Sequence, residues 1–366
     1  MVPIPAGDLR ESELLTRSLR IGEEIDDEIA LVISTSGTTG VLKGAMLTPA
    51  ALIASASATH DRLGGAGNWL LALPAHHIAG MQVLVRCVLA GTVPVELDLS
   101  DGFNVTELPR AVAQLGSGRR YTSLVANQLA KALRDPDASR ALAELDAVLL
   151  GGGPAPGPVL DGAAEAGITV VRTYGSSETA GGCVYDGLPL DGVEVRIDDP
   201  DEAGGGRIVI GGLTLAKGYR NPPDPDPFAE HGWFHTDDVG AFDDSGRLAV
   251  LGRADEAIST GGLTIMPGPV ETALSRHPAV DDCAVFGVDD DRLGQRVVAA
   301  IVTTPGSPWP TLEELKEFLA LSLDTTAAPR ELHILDELPR LGIGKIDRRA
   351  LRRRYSAPDE PGTYGW

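Results

Sequence analysis

The segment Ser34-Thr-Ser-Gly-Thr-Thr-Gly-Val-Leu-Lys-Gly44 gathers hydroxyl side chains, glycines and one lysine directly after the apolar run Ile29-Ala-Leu-Val-Ile33. Glycines let a backbone curl closely around an anion, hydroxyls donate hydrogen bonds, and a lysine adds positive charge. That chemistry suits a triphosphate. It is not a Walker A loop, because Lys43 is followed by Gly44 and Ala45 rather than by Ser or Thr. Gly151-Gly-Gly-Pro-Ala-Pro-Gly157 also follows an apolar run, but Pro156 stands where a dinucleotide fingerprint needs its third glycine, and a plain turn accounts for it equally. Thr173-Tyr-Gly-Ser-Ser-Glu-Thr179 offers an aromatic plane for a base, several hydroxyls, and a carboxylate, Glu178, able to hold Mg²⁺ beside phosphates. Taken alone, this last segment reads first as a capped turn with a solvated glutamate.

The elements that must position these segments follow from hydrophobic patterning. Strands are expected at Ile29–Ser34, Trp69–Leu73, Leu145–Leu150 and Ile168–Val171. Between them lie helical stretches at about Thr48–Thr59 and Ile78–Leu89, and a short helix after the glycine/proline loop. Such alternation indicates an α/β sheet covered by helices on both faces. From about residue 190 the style turns β-rich, with short strands at Arg207–Ile210 and Leu248–Leu251 between turn-rich segments. A third section interleaves helices at Gly268–Arg276 and Thr311–Leu321 with strands near Ala279–Phe286, Val297–Ile301 and Leu332–Leu335. The expected organisation is a large α/β domain over 1–254, with its β-rich subdomain at about 190–254, and a small α+β domain over 255–366.

The chain has 366 residues, with 31 Lys+Arg against 52 Asp+Glu and a net charge of −21. So acidic a surface argues against a chain built to coat nucleic acid, but leaves nucleotides open, because phosphate sites use local backbone N–H groups. Cys87, Cys183 and Cys283 lie far apart without zinc-ligand spacing, which reads as a reduced intracellular protein. No signal-like or membrane-spanning run is visible, so a cytoplasmic location is expected.

In combination the segments resemble the acyl-adenylate-forming superfamily, which includes acyl-CoA synthetases, adenylation domains of peptide synthetases, and luciferases. The Ser34–Gly44 loop is similar to its phosphate loop, and Thr173–Thr179 to its aromatic/Glu motif. Gly206–Gly212 with Lys217-Gly-Tyr219, then Gly232-Trp-Phe-His-Thr-Asp-Asp-Val-Gly240, Gly246–Ile258 and Leu338–Asp347 resemble its later motifs in the same order. Two departures stand out. Leu42 replaces the usual proline of the phosphate loop, which is expected to loosen the turn, and Asp237 replaces a usual glycine beside Asp238. Only 33 residues precede Ser34, so the family's first subdomain is expected to be abbreviated.

The resemblance implies a two-step joining of a carboxylic acid to coenzyme A through acyl-AMP, with ATP and Mg²⁺. By that resemblance Ser34, Thr35, Ser36, Gly37, Thr38, Thr39 and Lys43 cradle the β/γ-phosphates. Ser177 contacts the α-phosphate, Glu178 ligates Mg²⁺, Tyr174 stacks on adenine beside Gly152 and Gly153, and Asp238 holds the ribose with help from Arg253. Lys345 is the expected catalytic lysine, Asp255 the hinge, and His77 a gate before the thiol attacks. Ser259-Thr-Gly-Gly262 is the expected glycine-rich face for pantetheine, while the arginines at 348, 349 and 352–354 suit CoA phosphates or simple solvation.

Tyr121-Thr-Ser-Leu-Val-Ala-Asn-Gln-Leu129, with Ala126 and Asn127 in place of Pro and Thr, and Leu71-Ala-Leu-Pro-Ala-His-His-Ile-Ala-Gly80 resemble stretches of the o-succinylbenzoate–CoA ligase branch, of the menaquinone pathway. Its aromatic keto-diacid needs an apolar wall and polar groups for a second carboxylate. Ser123, Gln128 and His77, with Gly175 nearby, are the expected substrate residues; a plain strand–helix joint in the core is the competing reading. A CoA ligase for another aryl or fatty acid and a non-catalytic nucleotide-binding relative are the alternatives. Expected partners are the small acid, ATP and CoA, with no nucleic acid and no membrane, and with a homodimer left open.

Overall fold

The computed structural model describes residues 1–5, 9–35, 42–202, 204–341 and 345–356. The chain divides into two compact units. The first comprises Met1–Ala155, Val159–Thr236 and Ala241–Ala249; the second comprises Pro156–Pro158, Asp237–Gly240 and Val250–Trp366.

The chain opens with α1 (Leu9–Ser18) and an antiparallel hairpin of β1 (Leu31–Thr35) and β2 (Lys43–Leu47). Next come α2 (Pro49–Arg62), β3 (Asn68–Leu71), α3 (Ile78–Ala90), β4 (Val95–Glu96), α4 (Leu108–Ala113) and β5 (Arg120–Val125). They are followed by α5 (Ala126–Leu133), α6 (Pro136–Ala143), β6 (Ala147–Gly151), α7 (Gly157–Glu165), β7 (Val170–Ser176), β8 (Gly181–Tyr185) and β9 (Leu188–Pro189). The main sheet has the order β4-β3-β5-β6-β7-β8-β9. It is parallel from β4 to β7 and antiparallel from β7 to β9.

Alternation along these strands builds two cores, because successive side chains point to opposite faces. Leu70, Leu124, Val148 and Leu150 join one buried cluster; Trp69, Leu71, Tyr121, Ala147 and Leu149 join the other. Burial on both faces explains why β6 reads as a continuous apolar run. Thr48 caps α2 by accepting from the Ala51 N–H, and Pro49 occupies its first turn, where no N–H is needed.

A four-stranded sheet has the order β10 (Val193–Asp198), β11 (Gly206–Gly212), β12 (Trp233–Phe242), β13 (Leu248–Arg253), and the division between the units falls within its last two strands. In the second unit, β14 (Ile258–Thr260) and β15 (Leu263–Ile265) form a hairpin, followed by α8 (Pro267–Leu274), β16 (Val280–Asp290), β17 (Gly294–Thr303), α9 (Leu312–Leu319) and β18 (Glu331–Leu335). These strands form one sheet of order β15-β14-β17-β16, with β18 parallel to β17. A ribbon of β19 (Arg340–Leu341) and β20 (Lys345–Ile346) leads into α10 (Arg348–Ser356). Val285, Ala299 and Ile301 face a core with α8 and α9, while Phe286, Val298 and Ala300 pack against Leu351 of α10. The fold is therefore mixed α/β, a large N-terminal part followed by a small α+β part.

Boundaries moved at informative places. β7 starts at Val170 and runs through Tyr174 to Ser176, so the aromatic/Glu motif begins as the end of a sheet strand. β2 and the glycine-rich β8 were not expected as strands; both take their conformation from antiparallel partners rather than from apolar runs.

Candidate active site

The hairpin that frames the phosphate-loop sequence pairs Ser34 with Gly44 and Thr35 with Lys43, so these residues stand at its loop end. Ser36, Gly37, Thr38 and Thr39 lie outside the described residues. The base of the loop is held from outside. Residues 217–221 run alongside β2, with the Arg220 N–H donating to the Gly44 carbonyl at 2.8 Å and Tyr219 bridged to Ala45. Asn221 grips both residues flanking Lys43: its amide nitrogen donates to the Leu42 carbonyl, and its oxygen accepts from the Gly44 N–H at 3.1 Å. Leu42 itself packs against the cluster of Leu15, Leu19, Ile29 and Val32. The residue expected to loosen the turn thus has apolar packing and a bonded carbonyl.

Glu178 sits in a single 3-10 turn, Ser177–Thr179, immediately after β7. It is buried, and the Tyr219 hydroxyl donates to its Oε1 at 2.6 Å. The Lys43 ammonium lies 5.3 Å from the centroid of the same tyrosine ring. The turn is fixed by backbone bonds: Thr179 Oγ1 accepts from the Ser176 N–H and donates to the Gly181 carbonyl at 2.7 Å. Ser55 and Gln82 both donate to the Ala180 carbonyl, at 3.0 and 2.8 Å, which supports that residue's positive φ of 51°. Tyr219 and Asn221 were missed as functional residues. Their signal was the alternate spacing in Lys217-Gly-Tyr-Arg-Asn221, which puts both on one side of an extended segment.

Other expected residues collect at the carboxyl ends of the parallel strands, where open α/β sheets place their ligands. Gly152 and Gly153 follow β6 and are exposed; Tyr174 and Gly175 end β7; Ser177 follows it. Ser123 is buried within β5. Gln128, on α5, donates to the Ala72 carbonyl at 2.9 Å and accepts from the Val125 N–H at 3.0 Å, so its amide braces β5 against the end of β3. His77 is the N-cap of α3, and its ring lies tilted against that of His76, with centroids 4.3 Å apart. Burial, and secondarily the neighbouring His76, lowers its pKa to about 4, so the ring is neutral near pH 7. Gly80, in the first turn of α3, lets the preceding loop pack closely: a Cβ there would lie 2.4 Å from the Pro74 carbonyl oxygen.

In the second unit Arg253 is ringed by carboxylates. It donates to Asp255 at 2.9 Å and to Asp237 at 3.2 Å, and lies 3.9 Å from Asp238. Burial opposes its charge, but Asp255, Asp238 and Asp237 more than compensate, and its pKa rises. Gly261 and Gly262, both at positive φ, close the β14–β15 hairpin by the two-residue turn that favours glycine. Lys345 pairs with Leu341 in the ribbon preceding α10; Gly342, Ile343 and Gly344 lie outside the described residues. Arg348 forms two 2.7 Å bonds to the buried Glu271 and a 3.1 Å ion pair with Glu256, tying α10 to α8.

Among the described residues no group of three His, Cys, Asp or Glu side chains could cage a metal. A single buried carboxylate beside a phosphate-type loop is nevertheless a donor set that suits Mg²⁺, which is usually held by one or two carboxylates together with phosphate oxygens and water. No described helix is long and apolar enough to cross a membrane.

The family model described as AMP-binding enzyme matches residues 7–220, and that of the AMP-binding enzyme C-terminal domain matches residues 269–345. The chain belongs to the AMP-binding enzyme family. A family relative from Mycobacterium tuberculosis (strain H37Rv), named probable 2-succinylbenzoate–CoA ligase, is 70% identical over 348 residues, which are 94% of this chain and 90% of the relative. A 2-succinylbenzoate–CoA ligase from Geobacillus sp. is 34% identical, covering 89% of this chain and 69% of the relative. The o-succinylbenzoate–CoA synthetase of Bacillus subtilis, solved with the acyl-adenylate intermediate OSB-AMP, has a TM-score of 0.76 at 30% identity and covers 89% of this chain and 69% of that one. The same synthetase solved with ATP and magnesium ion has a TM-score of 0.75 at 30% identity, over 92% and 72% of the two chains. These matches agree with the superfamily resemblance and the two-part fold expected from sequence.

Proposed function

We propose that this AMP-binding enzyme is an acid–CoA ligase that activates 2-succinylbenzoate (o-succinylbenzoate) by adenylation and transfers the acyl group to coenzyme A, in the menaquinone pathway. The observation that carries the reading is Lys43 and Glu178 brought to one buried tyrosine, with Glu178 in the turn that begins at Ser177 directly after the strand bearing Tyr174. The 70% identical relative supports the choice of acid. In the first step a carboxylate oxygen attacks the α-phosphorus of ATP, and the bond to pyrophosphate breaks. In the second the CoA sulfur bonds to the acyl carbon, AMP leaves, and the thiol proton passes to solvent.

Both steps bring anions together, so the protein must orient them and offset their charge. Ser34, Thr35, Lys43 and the intervening loop hold the β/γ-phosphates, and Ser177 meets the α-phosphate. Tyr174 stacks on adenine beside the Gly152–Gly153 backbone. Asp238 accepts from the ribose hydroxyls, with the Arg253 guanidinium 3.9 Å away. Glu178 is the residue that would hold Mg²⁺, whose bound charge offsets that of the phosphates. Lys345 carries the positive charge that the attacking carboxylate and α-phosphate need. His77, neutral near pH 7, acts as a gate without drawing or repelling the CoA phosphates by charge. Ser123 is the candidate partner for the second carboxylate, while Gln128 shapes the wall by holding β3 and β5 together. ATP and CoA supply fits a cytoplasmic location.

A substrate panel separates this reading from a ligase for another aryl or fatty acid. With ATP, Mg²⁺ and CoA, 2-succinylbenzoate is expected to give the highest kcat/KM among aryl, diacid and fatty-acid substrates. A higher value for benzoate or a fatty acid would reassign the substrate.

A further inference from the structure

The segment 217–221 does more than support the phosphate loop. Tyr219 is buried, its backbone bridged to Ala45, its ring in edge contact with Phe228 at 5.4 Å. Its two remaining polar features are both used. The hydroxyl holds Glu178 at 2.6 Å, and the ring face receives the Lys43 ammonium at 5.3 Å. Among the described residues neither Lys43 nor Glu178 forms an ion pair. Opposite charges around one ring would gain by closing on each other, and a direct pair would neutralise both. A phenol offers each something weaker: a cation–π face for the ammonium and a neutral donor for the carboxylate.

We propose that Tyr219 is a positioning residue that keeps Lys43 and Glu178 adjacent but unpaired, so that the lysine meets the triphosphate and the glutamate meets the metal. This rests on the nucleotide-activating role given above, and it assigns the two halves of one side chain to two ligands. The hydroxyl sets the metal carboxylate by occupying Oε1. The ring sets the lysine. Removing only the hydroxyl must therefore affect the metal and spare metal-free nucleotide binding, whereas removing the ring must affect both.

The test is calorimetric ATP binding to the full chain with Mg²⁺ and with EDTA, without any acid substrate, alongside thermal melting. In Tyr219→Phe the tightening of ATP binding by Mg²⁺ is expected to fall about tenfold, as for loss of one hydrogen bond to a charged group, with EDTA binding unchanged. In Tyr219→Leu, EDTA binding is expected to weaken as well. Equal losses under both conditions in Tyr219→Phe, or no loss in a normally melting variant, would overturn the proposal. Should Tyr219→Phe fold poorly, Glu178→Gln and Glu178→Gln/Tyr219→Phe leave no buried carboxylate stranded. The second change is then expected to be silent on metal dependence, and any further loss contradicts coupling through Glu178. Because no acid is present, these outcomes are independent of the substrate assignment. If wild type binds ATP equally with and without Mg²⁺, the metal role falls, and this proposal with it. Failure to activate 2-succinylbenzoate alone leaves the result standing.

Discussion

Arg253 donates to Asp237 across 3.2 Å, using the same guanidinium that lies 3.9 Å from Asp238. By the superfamily resemblance glycine is expected at position 237, so one cation here serves an added carboxylate. The side chain of Asp237 is 57% exposed, which makes the interaction open to screening.

Replacing Asp237 with glycine removes a negative charge beside the proposed ribose carboxylate and frees Arg253 for Asp238. AMP affinity is expected to rise about threefold at low salt, and the gain to shrink above about 0.15 M salt as the Debye length falls below 8 Å. Calorimetric titration at two ionic strengths checks both statements. Weaker binding in Asp237→Gly would show that the extra carboxylate itself contacts the nucleotide.

His77 supplies a pH test with a definite sign. Its folded pKa, about 4, lies below the ordinary value of 6.5, so between those values the unfolded chain binds more protons than the folded one. The stability that depends on neutral His77 is complete above pH 6.5 and is lost as pH falls towards 4. Urea midpoints for His77→Gln should therefore decline less steeply than wild type over that window. Parallel curves would mean that His77 titrates normally in the folded chain.

Gly80 lies in the first turn of α3, three residues after its N-cap His77, and a Cβ at Gly80 would meet the carbonyl oxygen of Pro74, in the loop before the helix, at 2.4 Å. Gly80→Ala is expected to cost about 1–3 kcal/mol as an overpacking change. It should raise the KM for CoA more than that for ATP, because the displaced loop carries the proposed thiol gate. Steady-state kinetics with each substrate varied in turn reads the difference.

Glu271 is buried, and burial raises its pKa, with the Arg348 guanidinium the main opposing influence. Arg348→Met strands that carboxylate and should cost roughly 3–5 kcal/mol by urea denaturation. Arg353→Ala, on the exposed side of α10, should stay within about 0.5 kcal/mol. If Arg348→Met is as mild as Arg353→Ala, the link between α8 and α10 is not what holds the helix that follows Lys345.

Local signals were legible in the sequence; long-range partners were not. β6 announced itself as an apolar run because both of its faces are covered, and the phosphate and aromatic/Glu segments because each is short and chemically dense, whereas β5, Arg120-Tyr-Thr-Ser-Leu-Val125, mixes polar and apolar residues and carries no such run. β2 and β8 did not announce themselves, since glycine-containing strands owe their conformation to a partner. Glu178 was read from sequence as a candidate metal ligand, but its partner Tyr219 lies 41 residues away. Asn221 reaches Leu42 across 179 residues, and no local pattern announces such a clamp. Gln128 shows the reverse: its type suggested a substrate contact, and the fold employs its amide on two backbone groups.

The most direct test of acid activation through an acyl-adenylate omits CoA. The chain is incubated with ATP, Mg²⁺ and 2-succinylbenzoate, and the products are weighed by mass spectrometry before and after CoA is added. Succinylbenzoyl-AMP and pyrophosphate should form first, then succinylbenzoyl-CoA and AMP. ADP with phosphate, or tight ATP binding with no product at either stage, would contradict it.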